Sequence, residues 1–307
     1  MTASRSAIIW PTKVNLTFDT APSGLTLYLD GIAHTGRFVY DTLVGFHHTI
    51  EARNQTSGTN TYTFSSWSDG GSQQHVIVVP ANPPPSYTAT YSVASAAIPI
   101  TFVQVNAATP QTNQSAVTVP YTNAQTAGDT NVLAIGWNNT TSTITSVVDS
   151  AGNTYRLAVP KAAATGLSQA IWYASNIKAS AAGANTVTVT FSGATPYVDI
   201  RALEYGGLDP VNPFDVGASA SGSSTSANSG TVTTTGANEL IFGAGITGGI
   251  FSAAGTSFTN RIISYDGDIA EDRVVATAGG YSAGATLSPS AGWVMQVAAF
   301  KAAAAGP

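Results

Sequence analysis

Residues Tyr197 to Val216 read YVDIRALEYGGLDPVNPFDV, and they set four carboxylates, one arginine and two tyrosines into a chain otherwise poor in charge. The first half alternates as a strand does. Val198, Ile200 and Ala202 belong to one face, and Asp199, Arg201 and Tyr205 to the other. Gly206 and Gly207 then break the strand. Asp209-Pro210 and Asn212-Pro213 fix an irregular connection, because proline locks φ and pushes its predecessor out of the helical region. The stretch is the expected working edge of a large β domain.

Composition extends the all-β reading to the whole chain. Of 307 residues only 9% are charged, against a usual share of about 25%, while Gly, Ala, Ser and Thr abound. The net charge of -5 gives no electrostatic footprint for nucleic acid or an anionic membrane. With no cysteine there is no disulfide framework, thiolate nucleophile or Cys-ligated zinc. No apolar run approaches the roughly 20 residues that cross a bilayer, so membrane insertion is not expected. Met1 to Ser6 is too short and polar for a signal peptide, and Ile8 enters a strand pattern almost at once. A piece of a longer parent protein is expected, in a secreted, extracellular setting.

Residues 8–93 are expected to form a small β module. Val14, Leu16 and Phe18 alternate, Pro22-Ser23-Gly24 turns the chain, and Leu25, Leu27 and Leu29 lead to Asp30-Gly31, which supplies the positive φ of a tight hairpin turn. VNLTFDTAPSGLTLYLDG resembles the opening of PEGA-type β modules, and YTFSSWSDGGSQQHVIVVP with YTATY is similar to a tail of repeat modules in secreted bacterial polysaccharide-active and surface proteins. That resemblance implies a part that spaces or presents a neighbour. All four histidines, His34, His47, His48 and His75, fall here. His47 and His48 are adjacent on a strand and point to opposite faces, so one metal site cannot easily use both. Trp67 reads as a core plug, with a sugar platform as the alternative. Pro83 to Pro85 mark a loop, and residues 94–99 are the expected linker.

Residues 100–302 read as strand after strand with turn signals between, which predicts a single antiparallel β-sandwich of jelly-roll type. The blocks VLAIGWNNTTSTITSVVDSAGNTY, ANTVTVTFS, DIRALEYGGLDPVNPFD, DGDIAEDR and GWVMQVAAF resemble an uncharacterised β-rich module of secreted bacterial proteins. Its general look is that of jelly-roll carbohydrate-binding modules. The resemblance implies an extracellular, non-catalytic accessory protein whose partner is a polysaccharide. Exposed aromatics with polar neighbours would carry such binding, and the candidates are Tyr155 with Arg156, Trp172 with Tyr173, and Asp199, Arg201 and Tyr205.

Two rival functions stay open. This domain has no histidine or cysteine, which excludes a Ser-His-Asp triad within it. Carboxylates remain. Asp266, Asp268 and Glu271 have the acid-x-acid-x-x-acid spacing similar to the catalytic strand of laminarinase-like glycoside hydrolases. That likeness implies Asp266 as nucleophile, Asp268 as assisting acid and Glu271 as acid/base on one strand face. Asp266-Gly267-Asp268 also reads as a hairpin turn that leaves Glu271 and Arg273 as a same-face pair. Binding needs no cofactor, but structural calcium is a further reading, at Asp266 and Asp268 or at Asp209 and Asp215. The other rival is a self-associating surface, adhesin or filament subunit.

Overall fold

A computed structural model describes residues 11–58, 60–95 and 98–304 of the chain. Ile8 and the middle of the expected linker lie outside the described residues. Among the described residues every regular element is a strand, and there is no helix long and apolar enough to cross a membrane. The described residues form two compact units, one reaching to Ser95 and one spanning residues 98–304.

The first unit holds nine strands: β1 Lys13–Ala21, β2 Thr26–Leu29, β3 Ile32–Thr35, β4 Phe38–Leu43, β5 His47–Glu51, β6 Gln55–Ser57, β7 Asn60–Trp67, β8 Gln74–Val78 and β9 Tyr87–Ser95. They make a sheet of order β4-β1-β9-β7-β6 and a second of order β3-β2-β5-β8. The leucines that alternate along β1 and β2 fill the core with Ile50, Trp67, Ile77 and Tyr91. Asp30 and Gly31 both take positive φ, 49° and 81°, and close the two-residue turn between β2 and β3. Pro22-Ser23-Gly24 does not join a hairpin, because β1 and β2 belong to different sheets. His48 is buried and bonded to Thr42 and Asp30, whereas His47 is exposed, as period-2 alternation requires. Trp67 is buried and donates its indole N–H to the Gln73 carbonyl.

The second unit is antiparallel and sandwich-like as expected, and it is built from two successive rolls. Its first half contains β10 Thr101–Ala108, β11 Gln114–Pro120, β12 Thr130–Trp137, β13 Ile144–Asp149, β14 Arg156–Ala164, β15 Leu167–Ala174, β16 Thr186–Thr195 and β17 Asp199–Gly206. These pair as β10-β17-β12-β15-β14 and β11-β16-β13. Numbered from one to eight, the sheets run 1-8-3-6-5 and 2-7-4, the crossed pairing of a jelly roll.

The second half repeats that order. It contains β18 Phe214–Asn228, β19 Val232–Thr233, β20 Glu239–Thr247, β21 Phe251–Ala254, β22 Thr259–Ile263, β23 Ile269–Val275, β24 Gly280–Tyr281 and β25 Gly284–Lys301. The inner sheet is β18-β25-β20-β23-β22. Here the first and second strands of the roll are fused into β18, and the seventh and eighth into β25. The ends of those long strands form the outer layer, where Ser226–Asn228 pair with Gly284–Thr286, which in turn pair with β21. In the first roll β11 and β16 stay paired from Gln114 to Pro120, so the outer layer of the second roll is much the shorter.

The two rolls pack inner sheet against inner sheet. Val132, Ala134, Ile171, Leu203 and Tyr205 meet Leu240, Phe242, Ala270, Ala298 and Phe300 in one apolar layer. The other face of each inner sheet covers its own roll: Leu133, Ile135, Val198 and Ile200 in the first, Ile241, Ile269, Met295 and Val297 in the second. β12, β17 and β20 are therefore buried along their whole length on both faces. Hydrophobic burial on two faces explains the apolar runs of β12 and β20, whereas β17 buries Asp199, Arg201 and Glu204 among partners.

Candidate functional site

The expected working edge is an interior strand. β17 lies between β10 and β12, and Asp199, Arg201 and Tyr205 point across the seam between the rolls. This corrects their expected exposure, since Asp199 and Arg201 are 0% accessible and Tyr205 1%. The Arg201 guanidinium donates to the carbonyls of Gly245, 2.8 Å away, and Ile269, and to Gln169 Oε1 at 2.8 Å. Its Nε lies 2.9 Å from Asp199 Oδ1, a contact of charge without the alignment of a hydrogen bond. Asp199 Oδ2 accepts the Ser264 hydroxyl. Tyr205 donates to Asp272 Oδ2 at 2.7 Å, and Asp272 also takes a bidentate pair from Arg261 at 2.7 and 2.9 Å. These side chains spend their bonding capacity inside the seam, with Arg201, Asp199 and Tyr205 each bonded to the partner roll, as burial of polar groups demands.

The other aromatic candidates separate. Tyr173 is buried in the seam and stacks with Phe214, so it too lacks the expected exposure. Trp172 is half-buried against the core of the first roll, and its indole N–H has no partner among the described residues. The Tyr155 hydroxyl bonds Asp149 and Asn131 inside that roll, and burial pushes its pKa upward, with the Asp149 charge adding to the effect. Arg156 alone is exposed, beside a shallow hollow that includes Asn153 and Lys178. These residues do not converge on one exposed face.

The carboxylate motif takes the hairpin-turn reading and not the catalytic one. Asp266 and Gly267, with φ of 85° at Gly267, form the tight turn between β22 and β23. β23 then pairs with β20 from Ile269 to Val275 without a bulge. Unbroken alternation sends Asp268 with Ala270 and Asp272 toward the first roll, and Glu271 with Ile269 into the second. The three acids therefore do not share a face. Asp268 accepts the Thr247 N–H and lies in the seam, where burial and the Asp199 charge hold its pKa well above the usual carboxylate range. Asp266 Oδ1 accepts from Gln111.

The calcium candidates are likewise dispersed. Asp209 Oδ1 accepts the N–H groups of Val211 and Asn212 in its own turn. Asp215 is held by Thr235 and by Lys301 at 3.1 Å. Among the described residues, no group of three or more carboxylates or histidines is placed to hold a metal ion.

An opening lies in the second roll, on Glu271's side of β23. It is a groove of about 560 Å³, bordered by Ser226 to Asn228, by Ala254 to Phe258, by Gly280 to Ser282 and by Gly284 to Thr286, with Arg273 contributing from β23. It lies at the margin of the shortened outer layer, where β21 and the start of β25 run out. Gly255 is required for the close approach there, because a Cβ would fall 2.1 Å from the Gly284 carbonyl oxygen. Glu271 supports the groove from below by accepting the N–H of Gly255 at 2.7 Å and of Gly284 at 3.1 Å. Burial pushes Glu271 up to about 7, against the lowering effect of those two N–H groups.

Arg273, two residues further along the same face, lies between two rings. Its guanidinium carbon is 5.2 Å from the Tyr281 ring centre and 5.6 Å from that of Phe258. Both rings are half-buried, and Tyr281 is fixed by a 2.7 Å bond to the Thr277 carbonyl. The Glu271–Arg273 pair follows from alternation along DIAEDR. Phe258 and Tyr281 were not visible as candidates, because the loops that carry them become neighbours only when the roll closes.

These features define an all-β protein whose larger unit is a pair of jelly rolls joined through their inner sheets, with one polar groove that carries aromatic rings. No family model, curated protein or solved structure matches the chain.

Proposed function

We propose that the chain is an extracellular, non-catalytic carbohydrate-binding protein of a bacterial polysaccharide-active or cell-surface system, in which a PEGA-like module presents the paired jelly rolls. The groove of the second roll carries this reading. Sugar rings offer apolar C–H faces and rows of hydroxyls, and a site for them combines aromatic surface with many neutral donors and acceptors. Phe258 and Tyr281 supply the rings, and Asn228, Ser257, Ser282 and Thr286 supply amide and hydroxyl groups around them. Asp266 lies in the turn before β23 and accepts from Gln111, while Glu271 reaches into the second roll, which favours binding over acid/base hydrolysis, because that reaction needs two carboxyl groups flanking one bond.

The test is retention on insoluble polysaccharides, with reducing-end release measured in the same tubes. Wild-type protein is expected to be retained without release. Tyr281→Ala and Phe258→Ala are expected to lose at least tenfold in affinity, as loss of a stacking anchor usually costs. Release of reducing ends, or retention unchanged in both variants, would overturn the reading.

A further inference from the structure

We infer that the groove of the second roll selects a glycan bearing carboxylates, a uronate chain, with Arg273 as the group that pairs with the acid. This rests on the carbohydrate reading above and narrows it. Arg273 makes no hydrogen bond and no ion pair among the described residues, although every other arginine around the seam and core of this unit is bonded to carboxylate or carbonyl. Its nearest acid on the same face, Glu271, has its two oxygens committed to the N–H groups of Gly255 and Gly284. No Asp or Glu borders the groove, so its one cation meets no compensating charge there.

The Arg273 guanidinium lies over the rings of Phe258 and Tyr281, a contact that uses its charge and spends none of its N–H groups, which remain for a planar acceptor. A carboxylate fits that fork with two parallel bonds. The protein as a whole carries a net charge of -5 and would repel a polyanion, so retention of one requires a local site and not general attraction.

The experiment measures the affinity of the full chain for polygalacturonate, for the same backbone fully methyl-esterified, for dextran sulfate and for β-glucan. The expected result is binding to polygalacturonate at least tenfold tighter than to the ester. Arg273→Gln should lose that tenfold, so that free and esterified chains bind alike, and Arg273→Lys should recover only part of it. The comparison of free and esterified chains on wild-type protein needs no variant to fold. Equal affinity for the two chains, or dextran sulfate bound as tightly as polygalacturonate, would overturn the assignment of a uronate. In either case binding lost in Tyr281→Ala leaves the carbohydrate reading standing. Failure to bind any of the four overturns both.

Discussion

Arg201→Met is the sharpest test of the seam between the two jelly rolls. The change keeps an unbranched side chain of similar reach but removes every donor. It deletes the bonds to Gly245, Ile269 and Gln169 and strands the Asp199 carboxylate, which has no access to water. Breaking a buried ion pair by removing one partner costs roughly 3–5 kcal/mol, because a charge is left buried and uncompensated. In a unit of this size each kcal/mol lowers the melting temperature by about 2–4 °C, so a fall of roughly 6–20 °C is expected. The assay is thermal unfolding followed by the fluorescence of Trp137, Trp172 and Trp293, all of which belong to this unit. The double variant Asp199→Asn, Arg201→Met removes the stranded charge and should regain a large part of the loss. A melting temperature for Arg201→Met within about 2 °C of wild type would mean that the pair does not hold the seam. A double variant no better than the single one would locate the damage in packing.

Three further outcomes follow from the same geometry. Glu271 is raised to about 7 in the folded chain, so the unfolded state ionises first and stability falls as pH rises through that window. Glu271→Gln should remove about 3 kcal/mol of that loss, seen as a flatter stability curve between pH 4.5 and 7 in urea titrations at successive pH values. Tyr205→Phe removes one donor from Asp272 but leaves the Arg261 pair, and a loss of about 1 kcal/mol is expected in the same titration. Gly255→Ala forces a methyl group against the Gly284 carbonyl and should cost about 1–3 kcal/mol together with glycan retention; an unchanged retention would show that β21 does not shape the groove.

Local chemistry was legible in the chain, and long-range packing was not. Asp30-Gly31 announced its turn because only a residue tolerant of positive φ suits that corner. The alternation of Tyr197 to Tyr205 gave the two faces correctly, but it could not say that both would be covered. The duplication was hidden for a related reason. Phe214 to Asn228 is a run of Gly, Ala and Ser that reads as a loop, yet it is the longest strand but one, held by pairing with β25 and by the close approach its small residues allow at Val159 and Trp293. The available signal lay in NVLAIG and NELIFG, two apolar runs without alternation, each of which marks a strand buried on both sides. The groove was less visible still, because Phe258, Arg273 and Tyr281 meet through strand closure and not through spacing.

The position of β25 has a consequence for how the chain is made. It is synthesised after every other strand of its roll, yet it sits between β18 and β20 in the interior of the sheet. The first roll can close as soon as β17 is synthesised, while the sheet of the second is complete only when β25 has followed. Until β20, β23 and β25 are all in place, the seam face of the first roll, with Val132, Ala134, Ile171 and Leu203, lacks the full cover that Leu240, Phe242, Ala270, Ala298 and Phe300 give it. Exposed apolar surface of this kind is what drives nascent chains to aggregate. A product cut short of Phe300 would therefore be a sticky intermediate held at its most vulnerable stage, and not a smaller version of the folded protein.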